Sequence, residues 1–364
     1  MPTLKDVAAK AGVSLSTAGA AMRGEDIVKP ATKELVLAAA KEIGYSPNLS
    51  ARFLKKGRTG AIAVMVPHIL HPYYTNLVYA VSQEAGRHGL RTIIQQTGYT
   101  SDSETDVLEQ MVGSTLCDGL ILNASNVDDT HLRTLLGNHP AVLLNYLTDN
   151  PLFDNVQSST SRGVDLAFGY LQGRGYRHAA VIGGRRIRPD DPDISRQNVG
   201  IRAAMSALVD SGMGGPDDFV DCNWSVEGGK AVAEELCRPI GDTRDDGVRN
   251  DDDSPHTDET TTPVTRLVDR YDVFYCMNDL VAYGLIRGLH EHGIRVPEDK
   301  AVFGHDGIIA DQFTIPTLST VAVDYEAMAR KAVGLLLDQI NHPGKTRKPR
   351  TEIIGCKLVV GESA

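Results

Sequence analysis

From Ala61 onward, short apolar runs rich in β-branched residues alternate with stretches of helical periodicity. The apolar runs are AIAVMV, RTIIQQ, GLILN, AVLLNY, AAVIGG, VFYCMN, KAVFGH and KLVV. Helices are expected between them, for example over 73–88, 162–172, 198–211, 225–236 and 280–291. Strands that alternate with helices pair in parallel, with helices on both faces of the sheet. The pattern therefore predicts an α/β body, and its length predicts two similar parallel-sheet subdomains.

Several motifs that carry chemistry are missing from this body. Neither G-x-G-x-x-G nor G-x-x-x-x-G-K-[ST] occurs, so a dinucleotide site or a P-loop is not supported. No G-x-S-x-G elbow, H-E-x-x-H pair or repeated Cys/His spacing organises a nucleophile or a metal. We therefore expect a chain that is not an enzyme and that needs no metal or cofactor.

Cysteine usage and hydropathy indicate the compartment. The five cysteines are scattered and form no C-x-x-C pair, so they read as buried thiols in a reducing environment. No apolar run reaches the roughly 20 residues that span a bilayer, and the N-terminus is polar. A cytoplasmic protein is expected.

The first sixty residues differ from the rest in charge and in pattern. They hold ten Lys and Arg against five Asp and Glu, a net of +5, whereas the remaining residues carry a net of −15. A helical period from Leu4 to Ala11 is followed by Gly12, and Ser14 can cap a second helix over about 15–22. Two short helices joined by a glycine-containing turn predict a helix–turn–helix on a cationic head. A third helix is expected from Pro30 to Ile43.

Three segments resemble the lactose-repressor (LacI/GalR) family of bacterial transcriptional regulators: TLKDVAAKAGVSLST, GYSPNLSARFLKKGRTG and AIAVMVP. The resemblance implies a homodimer that binds a pseudo-palindromic double-stranded DNA operator, with the second helix in the major groove. It implies a hinge helix over 48–56 in the minor groove, where Leu54 wedges between base pairs. It also implies a body like the periplasmic sugar-binding proteins, with a small effector held between two halves.

The resemblance divides the chain and assigns DNA contacts. The expected domains are the head 1–47, the hinge and linker 48–60, a first half of 61–174 with 325–352, and a second half of 175–324 with 353–364. The expected DNA-binding residues are Thr3, Ser14, Leu15, Ser16, Thr17, Ala20, Arg23, Asn48, Ala51, Arg52, Leu54 and Lys55.

The recognition helix departs from the family pattern. In TAGAAMRG, Gly19 and Ala20 stand where Ser-Arg is usual, and Arg23 stands where Asn is usual. Losing that arginine removes a possible bidentate contact with guanine. Ser and Thr hydroxyls can still bond phosphates, and Leu15 and Ala20 can meet thymine methyl groups. We therefore expect affinity to depend on charge, on the hinge and on DNA deformability.

Motif matches in the body assign effector contacts at the ends of strands. The expected effector-binding residues are Tyr73, Tyr74, Asn123, Arg162, Arg196, Gln197, Trp224, Asn278, Asp306 and Val323. Carboxylate and amide groups bond hydroxyls, and aromatic faces cover the apolar side of a ring, so the set suits a sugar-like or nucleoside-like ligand. The family's R-x-x-G arginine position holds Gln197 here, and Val323 is apolar where several relatives are polar. The ligand of any relative is therefore not transferable.

The segment 241–263 is expected to be a surface insertion. It holds eight Asp and Glu and almost no apolar residue, so it cannot bury enough surface to order itself. Other functions remain open at this point. They are a secreted solute-binding protein, a regulator without a small-molecule effector and, more distantly, an enzyme of sugar or nucleoside metabolism.

Overall fold

A computed structural model describes residues 2–45, 58–114, 116–123, 127–146, 151–185, 197–240, 266–344 and 347–364. The chain forms two compact units, Met1–Gly60 and Ala61–Ala364. The predicted hinge helix and the acidic segment 241–263 lie outside the described residues.

The first unit, the head, contains three helices, α1 Leu4–Lys10, α2 Leu15–Met22 and α3 Pro30–Glu42. Gly12 (φ 64°) makes the turn after α1, and Ser14 Oγ caps α2 by accepting the Thr17 N–H at 3.1 Å. The core consists of small apolar side chains, among them Val7, Ala18 and Val36. The predicted helix–turn–helix is confirmed.

The second unit, the body, contains two six-stranded sheets. The first sheet has the order β11-β5-β4-β3-β1-β2, and every neighbouring pair is parallel. Its strands are β1 Ala61–Val66, β2 Arg91–Gln96, β3 Leu120–Asn123, β4 Ala141–Leu144, β5 Asp154–Ser158 and β11 Thr351–Ile354. The second sheet has the order β12-β10-β9-β8-β6-β7, with β12 antiparallel to β10. Its strands are β6 Ala179–Ile182, β7 Phe219–Val220, β8 Val273–Cys276, β9 Ala301–Asp306, β10 Ser319–Val323 and β12 Cys356–Val359.

Helices cover both faces of each sheet. In chain order they are α4 Pro72–Arg87, α5 Ser101–Gly113, α6 Asp129–Leu136, α7 Thr160–Gly173, α8 Gln197–Asp210, α9 Val226–Cys237, α10 Asp279–Glu291 and α11 Tyr325–Asn341. On the first sheet, α4 and α11 cover one face and α5 and α6 the other. On the second, α7 and α8 cover one face and α9 and α10 the other. Among the described residues, no helix has the length and apolar character needed to cross a membrane.

The structure differs from two of the expected domain bounds. Helix α7 packs its apolar face, including Val164 and Phe168, into the core of the second half, although the bound at 174/175 assigned it to the first. Strand β11 pairs with β5 through Ile354, beyond the expected bound at 352. Both assignments depend on which sheet an amphipathic segment meets, and local periodicity does not contain that information.

Candidate functional site

Residues at the carboxyl ends of the strands in the two sheets come into contact, and the region between the two halves at this contact is called the cleft. Asn123 ends β3 and Asp306 ends β9, while Asn278 lies two residues after β8 and caps α10. Asn278 Nδ2 lies 3.0 Å from Nε2 of His71, which precedes α4 in the first half. Tyr325 OH donates to the backbone oxygen of Asp306 at 3.2 Å. Ligands of open α/β sheets collect at such strand ends, so this cleft is the candidate site.

A network of amide and hydroxyl groups forms the floor of the cleft in the first half. Asn145, directly after β4, donates from Nδ2 to Tyr73 OH and to Asn123 Oδ1, the latter at 3.2 Å. Its Oδ1 accepts from the Ser158 N–H at 3.1 Å and from the Ser158 hydroxyl at 3.2 Å. Asn145 has φ 53°, a left-handed conformation that asparagine tolerates better than most residues. The network fixes the Tyr73 hydroxyl at the cleft.

Two carboxyl groups in the second half have opposite surroundings. Asp279 accepts from the Gly307 N–H at 2.7 Å, the Ile308 N–H at 3.1 Å and the Thr320 hydroxyl at 2.7 Å. Asp306 is 9% exposed, and its carboxyl has no hydrogen-bond partner within the described part of the chain. Burial, followed by the charge of Asp311, raises the pKa of Asp306 well above its usual range. Asp279 therefore supports the loop after β9, whereas Asp306 is available to a ligand.

Aromatic rings line the first-half side of the cleft. The ring centre of Tyr73 lies 5.4 Å from that of Tyr74 and 5.6 Å from that of Tyr325. Tyr74 also meets His68 and His71, each at 5.7 Å. Edge-to-face packing holds these rings in place and leaves aromatic surface beside the polar groups. The combination suits a ligand with one apolar face and several hydroxyl groups.

His71 has two contacts that compete. Its Nδ1 accepts from the Tyr73 N–H at 3.2 Å, which caps α4. Its Nε2 faces the side-chain amide nitrogen of Asn278. Asn278 Oδ1 is already used, because it accepts the Val281 N–H at 2.8 Å and caps α10. Burial, followed by the nearby His68, lowers the pKa of His71 to about 4, so the ring is neutral at pH 7. A neutral imidazole has one acceptor nitrogen, so it satisfies the helix cap or the contact across the cleft, but not both.

The other expected cleft residues divide into three groups. Trp224 is half-buried against the second half, where its Nε1 lies 2.9 Å from the position that a Cβ on Gly184 would occupy. Arg162 is exposed on α7, and Val323 is 9% exposed within the apolar core of the first half. Arg196 and the side chain of Gln197 lie outside the described residues. Asp306 has the same exposure as Val323, so the expected place of Val323 on the cleft wall stays a prediction.

The sequence motifs did not indicate four residues of the cleft, His71, Asn145, Ser158 and Tyr325. Asn145 follows the apolar run AVLL, so the end-of-strand argument used for Asn123 could have found it. Ser158 ends a strand with little apolar character, and His71 and Tyr325 act through contacts between segments distant in sequence.

In the head, the hydroxyl groups at the start of α2 form one cluster. Ser14 Oγ lies 2.8 Å from both Ser16 Oγ and Thr17 Oγ1. Thr3 is exposed, and its N–H donates to Asp6 Oδ2 at 2.7 Å to begin α1. Leu15 is 46% exposed.

The expected contact of Ala20 with thymine is wrong. Ala20 is 4% exposed, so its methyl group is not available to thymine, although it lies outside the apolar core of the head. Arg23 is exposed and pairs with Glu25. The remaining expected DNA contacts, Asn48, Ala51, Arg52, Leu54 and Lys55, lie outside the described residues.

Three family descriptions match the chain. "Bacterial regulatory proteins, lacI family" matches residues 3–48, and "Periplasmic binding proteins and sugar binding domain of LacI family" matches 59–207. "Periplasmic binding protein-like domain" matches 168–364, which is more than half of the chain.

Curated relatives match over nearly the whole length. The HTH-type transcriptional repressor PurR of Pasteurella multocida is 27% identical over 350 residues, covering 95% of this chain and 94% of the relative. The HTH-type transcriptional repressor CytR of Escherichia coli is 25% identical, covering 98% and 95%. These relatives are transcriptional repressors and not enzymes.

Solved structures share the fold. The lac repressor dimer bound to operator and the anti-inducer ONPF matches with a TM-score of 0.77 at 20% identity, covering 100% of this chain and 98% of that one. The regulator CelR in complex with cellobiose matches with a TM-score of 0.64 at 25% identity, covering 100% of both chains. The head, the two parallel-sheet halves and these matches agree, and the chain belongs to the LacI/GalR family of bacterial DNA-binding transcriptional regulators.

Proposed function

We propose that this protein is a cytoplasmic homodimeric repressor whose affinity for a pseudo-palindromic operator is controlled by a small, hydroxyl-rich effector in the cleft. The observation that carries the effector assignment is the carboxyl of Asp306, which is buried and has no hydrogen-bond partner among the described residues. Burial disfavours the charged form of this carboxyl, so a ligand whose hydroxyl groups donate to it at the cleft would stabilise it.

The groups around Asp306 narrow the chemistry of the effector. Asn278 and the network of Asn123, Asn145 and Tyr73 offer donors and acceptors at short range. The rings of Tyr73, Tyr74 and Tyr325 offer apolar faces. A sugar or a nucleoside matches both features, and related structures contain cellobiose or ribose. The departures at Gln197 and Val323 leave the identity of the compound to experiment.

Control of DNA binding requires that the effector prefer one arrangement of the two halves. A ligand that binds both arrangements equally shifts nothing, however tightly it binds. The cleft residues come from both halves, with Tyr73 and Asn145 in the first and Asn278 and Asp306 in the second. An effector that contacts both sets therefore has differential affinity for a closed cleft.

Operator binding is expected to weaken steeply with salt. The segment 1–60 holds ten Lys and Arg, and neutralising about six phosphates predicts a loss on the order of 10³-fold between 50 and 200 mM salt. Duplexes selected from a random library provide the site, and filter binding over a salt series provides the slope. Failure to select any duplex, or affinity that does not change with salt, would contradict the proposal.

A ligand panel tests the effector. Trp224 is the only tryptophan, so its fluorescence reports on the second half without a label. Sugars, sugar phosphates, polyols and nucleosides are titrated while fluorescence and operator affinity are measured in parallel. We expect one class of compound to change both quantities with the same midpoint. A compound that changes fluorescence at any concentration but leaves operator affinity constant would argue against regulation through the cleft.

Two replacements of His71 separate its two contacts. Asparagine can imitate the Nδ1 cap of α4 but cannot reach Asn278, whereas glutamine can reach Asn278 but caps a helix poorly. Losing the contact across the cleft removes part of the preorganisation for ligand, so His71→Asn is expected to weaken effector binding roughly three- to tenfold. His71→Gln should bind within about twofold of the natural protein. Calorimetric titration of both variants measures this, and a loss in His71→Gln with natural binding in His71→Asn would show that the cap, not the cleft contact, matters.

A further inference from the structure

The recognition helix α2 contains no charged residue, and the positive charge at its surface belongs to the residue that follows its last turn. Helix α2 (LSTAGAAM) contains no charged residue, and Arg23 is its C-cap. The Arg23 side chain extends back along α2 instead of away from it. Its Nη1 lies 3.1 Å, and its Cζ 3.9 Å, from the position that a Cβ on Gly19 would occupy. Side chains on a helix lean toward its N-terminus, which explains the direction.

Gly19 provides the space in which the guanidinium lies. Glycine is the least favourable helix residue after proline, so its place in the middle of an eight-residue helix needs a reason. Gly19 is buried, and the nearest atoms to its missing Cβ belong to Arg23 and to Leu4. A side chain at this position would occupy the space that the guanidinium fills. The guanidinium of Arg23 therefore covers Gly19, one turn earlier, and makes the helix surface there cationic.

Glu25 fixes the orientation of this guanidinium. Arg23 Nε donates to Glu25 Oε1 at 2.5 Å, and both side chains are partly exposed, at 43% and 40%. Within the described residues, no other hydrogen bond of the Arg23 side chain is present. The Nη edge of the fork therefore remains available, and this edge matches the O6 and N7 acceptors of guanine in the major groove.

We infer that Arg23, lying over Gly19 and oriented by Glu25, is the side chain through which this head selects a guanine in each operator half-site. The inference rests on the proposed function, because it presumes that α2 enters the major groove. It adds one base-specific contact to an operator affinity that was expected to depend on charge, on the hinge and on DNA deformability. It also makes Gly19 and Glu25 positioning residues, since both act through Arg23.

The test compares the full-length protein with variants in selection from a randomised duplex library. The natural protein is expected to prefer guanine at one symmetric position by roughly tenfold to hundredfold over the other bases. Arg23→Ala should lose that preference at that position alone. Arg23→Lys should lose most of it, because an ammonium lacks the planar fork.

Two further variants separate positioning from folding. Gly19→Ala favours the helix, so head stability should rise while the preference for guanine falls. Glu25→Gln removes the partner's charge, so binding to all duplexes should tighten while the preference falls. Lys5→Ala is the control, because an exposed lysine that meets only phosphates would weaken binding evenly across sequences.

The outcomes distinguish failure of base recognition by Arg23 from failure of DNA binding by the whole protein. If Arg23→Ala keeps the natural preference, or weakens binding evenly like Lys5→Ala, Arg23 does not read a base and the inference is overturned. If the natural protein selects no duplex at all, the proposed function fails and the inference fails with it. Loss of preference at a single position in Arg23→Ala, with Lys5→Ala unchanged in preference, supports the inference.

Discussion

Replacing Gly284 with alanine is expected to destabilise the body by about 3 kcal/mol or more, whereas Gly169→Ala should stabilise it by about 0.5–1 kcal/mol. Both glycines lie inside helices, Gly284 in α10 and Gly169 in α7. A Cβ on Gly284 would lie 1.9 Å from the backbone oxygen of Val226. A Cβ on Gly169 would meet no atom within 4 Å. The same substitution therefore has opposite signs at the two sites.

The reason is the close approach of α9 and α10. A Cβ on Gly229 would lie 2.1 Å from the backbone oxygen of Val281, so the two helices touch through backbone at reciprocal positions. Backbone atoms cannot rotate aside as the end of a side chain can, so the helices must separate and open the core that Val232 and Leu285 share. Equilibrium denaturation of the full chain in urea measures both changes. Gly284→Ala with natural stability would show that this packing is not as close as described.

The fold was predictable where local pattern decides it. Apolar runs such as AIAVMV and VFYCMN became β1 and β8 because strands buried on both faces are continuously apolar. Strand β5 (DNVQS) was not found, because its burial depends on partners distant in sequence. Its Asp154 Oδ1 accepts from the Arg350 N–H at 2.8 Å, and Arg350 also donates from Nη2 to Asp154 Oδ2 at 3.1 Å. No periodicity in the chain indicates such a pairing across almost 200 residues.

The cleft was predictable in part for the same reason. Asn123 follows from the rule that polar residues at the ends of parallel strands meet at one edge, and Asp306 was indicated by the family motif that it matches. His71 joins the two halves through a contact that depends on how the sheets face each other, and sequence does not give that arrangement. Ala20 in the head was misassigned because it is buried without belonging to the apolar core, and helical periodicity indicates only the core face.

Loss of the Asp306 carboxyl is expected to weaken effector binding roughly 100-fold, the effect of removing two hydrogen bonds to a charged group. Asp306→Asn keeps the size of the side chain, and Asp306→Ala removes it. Both should retain ligand-free operator affinity, since Asp306 lies in the body and makes no structural hydrogen bond through its carboxyl among the described residues. Parallel titrations of fluorescence and operator affinity measure the loss.

The pH dependence of binding distinguishes Asp306 from its neighbours. Among the described residues, the ionisable groups whose charges couple to Asp306 are Asp279, Asp311, Tyr73, Tyr74, Tyr275 and Tyr325. Burial, followed by the charge of Asp311, raises the pKa of Asp306 in the free protein. A ligand hydroxyl that donates to this carboxyl favours the charged form and lowers its pKa on binding. Affinity should therefore increase as pH rises through the interval between the bound and free pKa values, with release of a proton.

Asp311 provides the control for this last expectation. Burial raises its pKa to about 6, and its Oδ1 accepts from the Tyr283 hydroxyl at 2.6 Å, so it is a second buried carboxyl whose charge acts on Asp306. Effector affinity of Asp306→Asn should be flat with pH, whereas Asp311→Asn should keep the rise and shift it to lower pH, because one source of negative charge is gone. If Asp306→Asn retained the full pH dependence, the titrating group would be another carboxyl, and the ligand would not bind at Asp306.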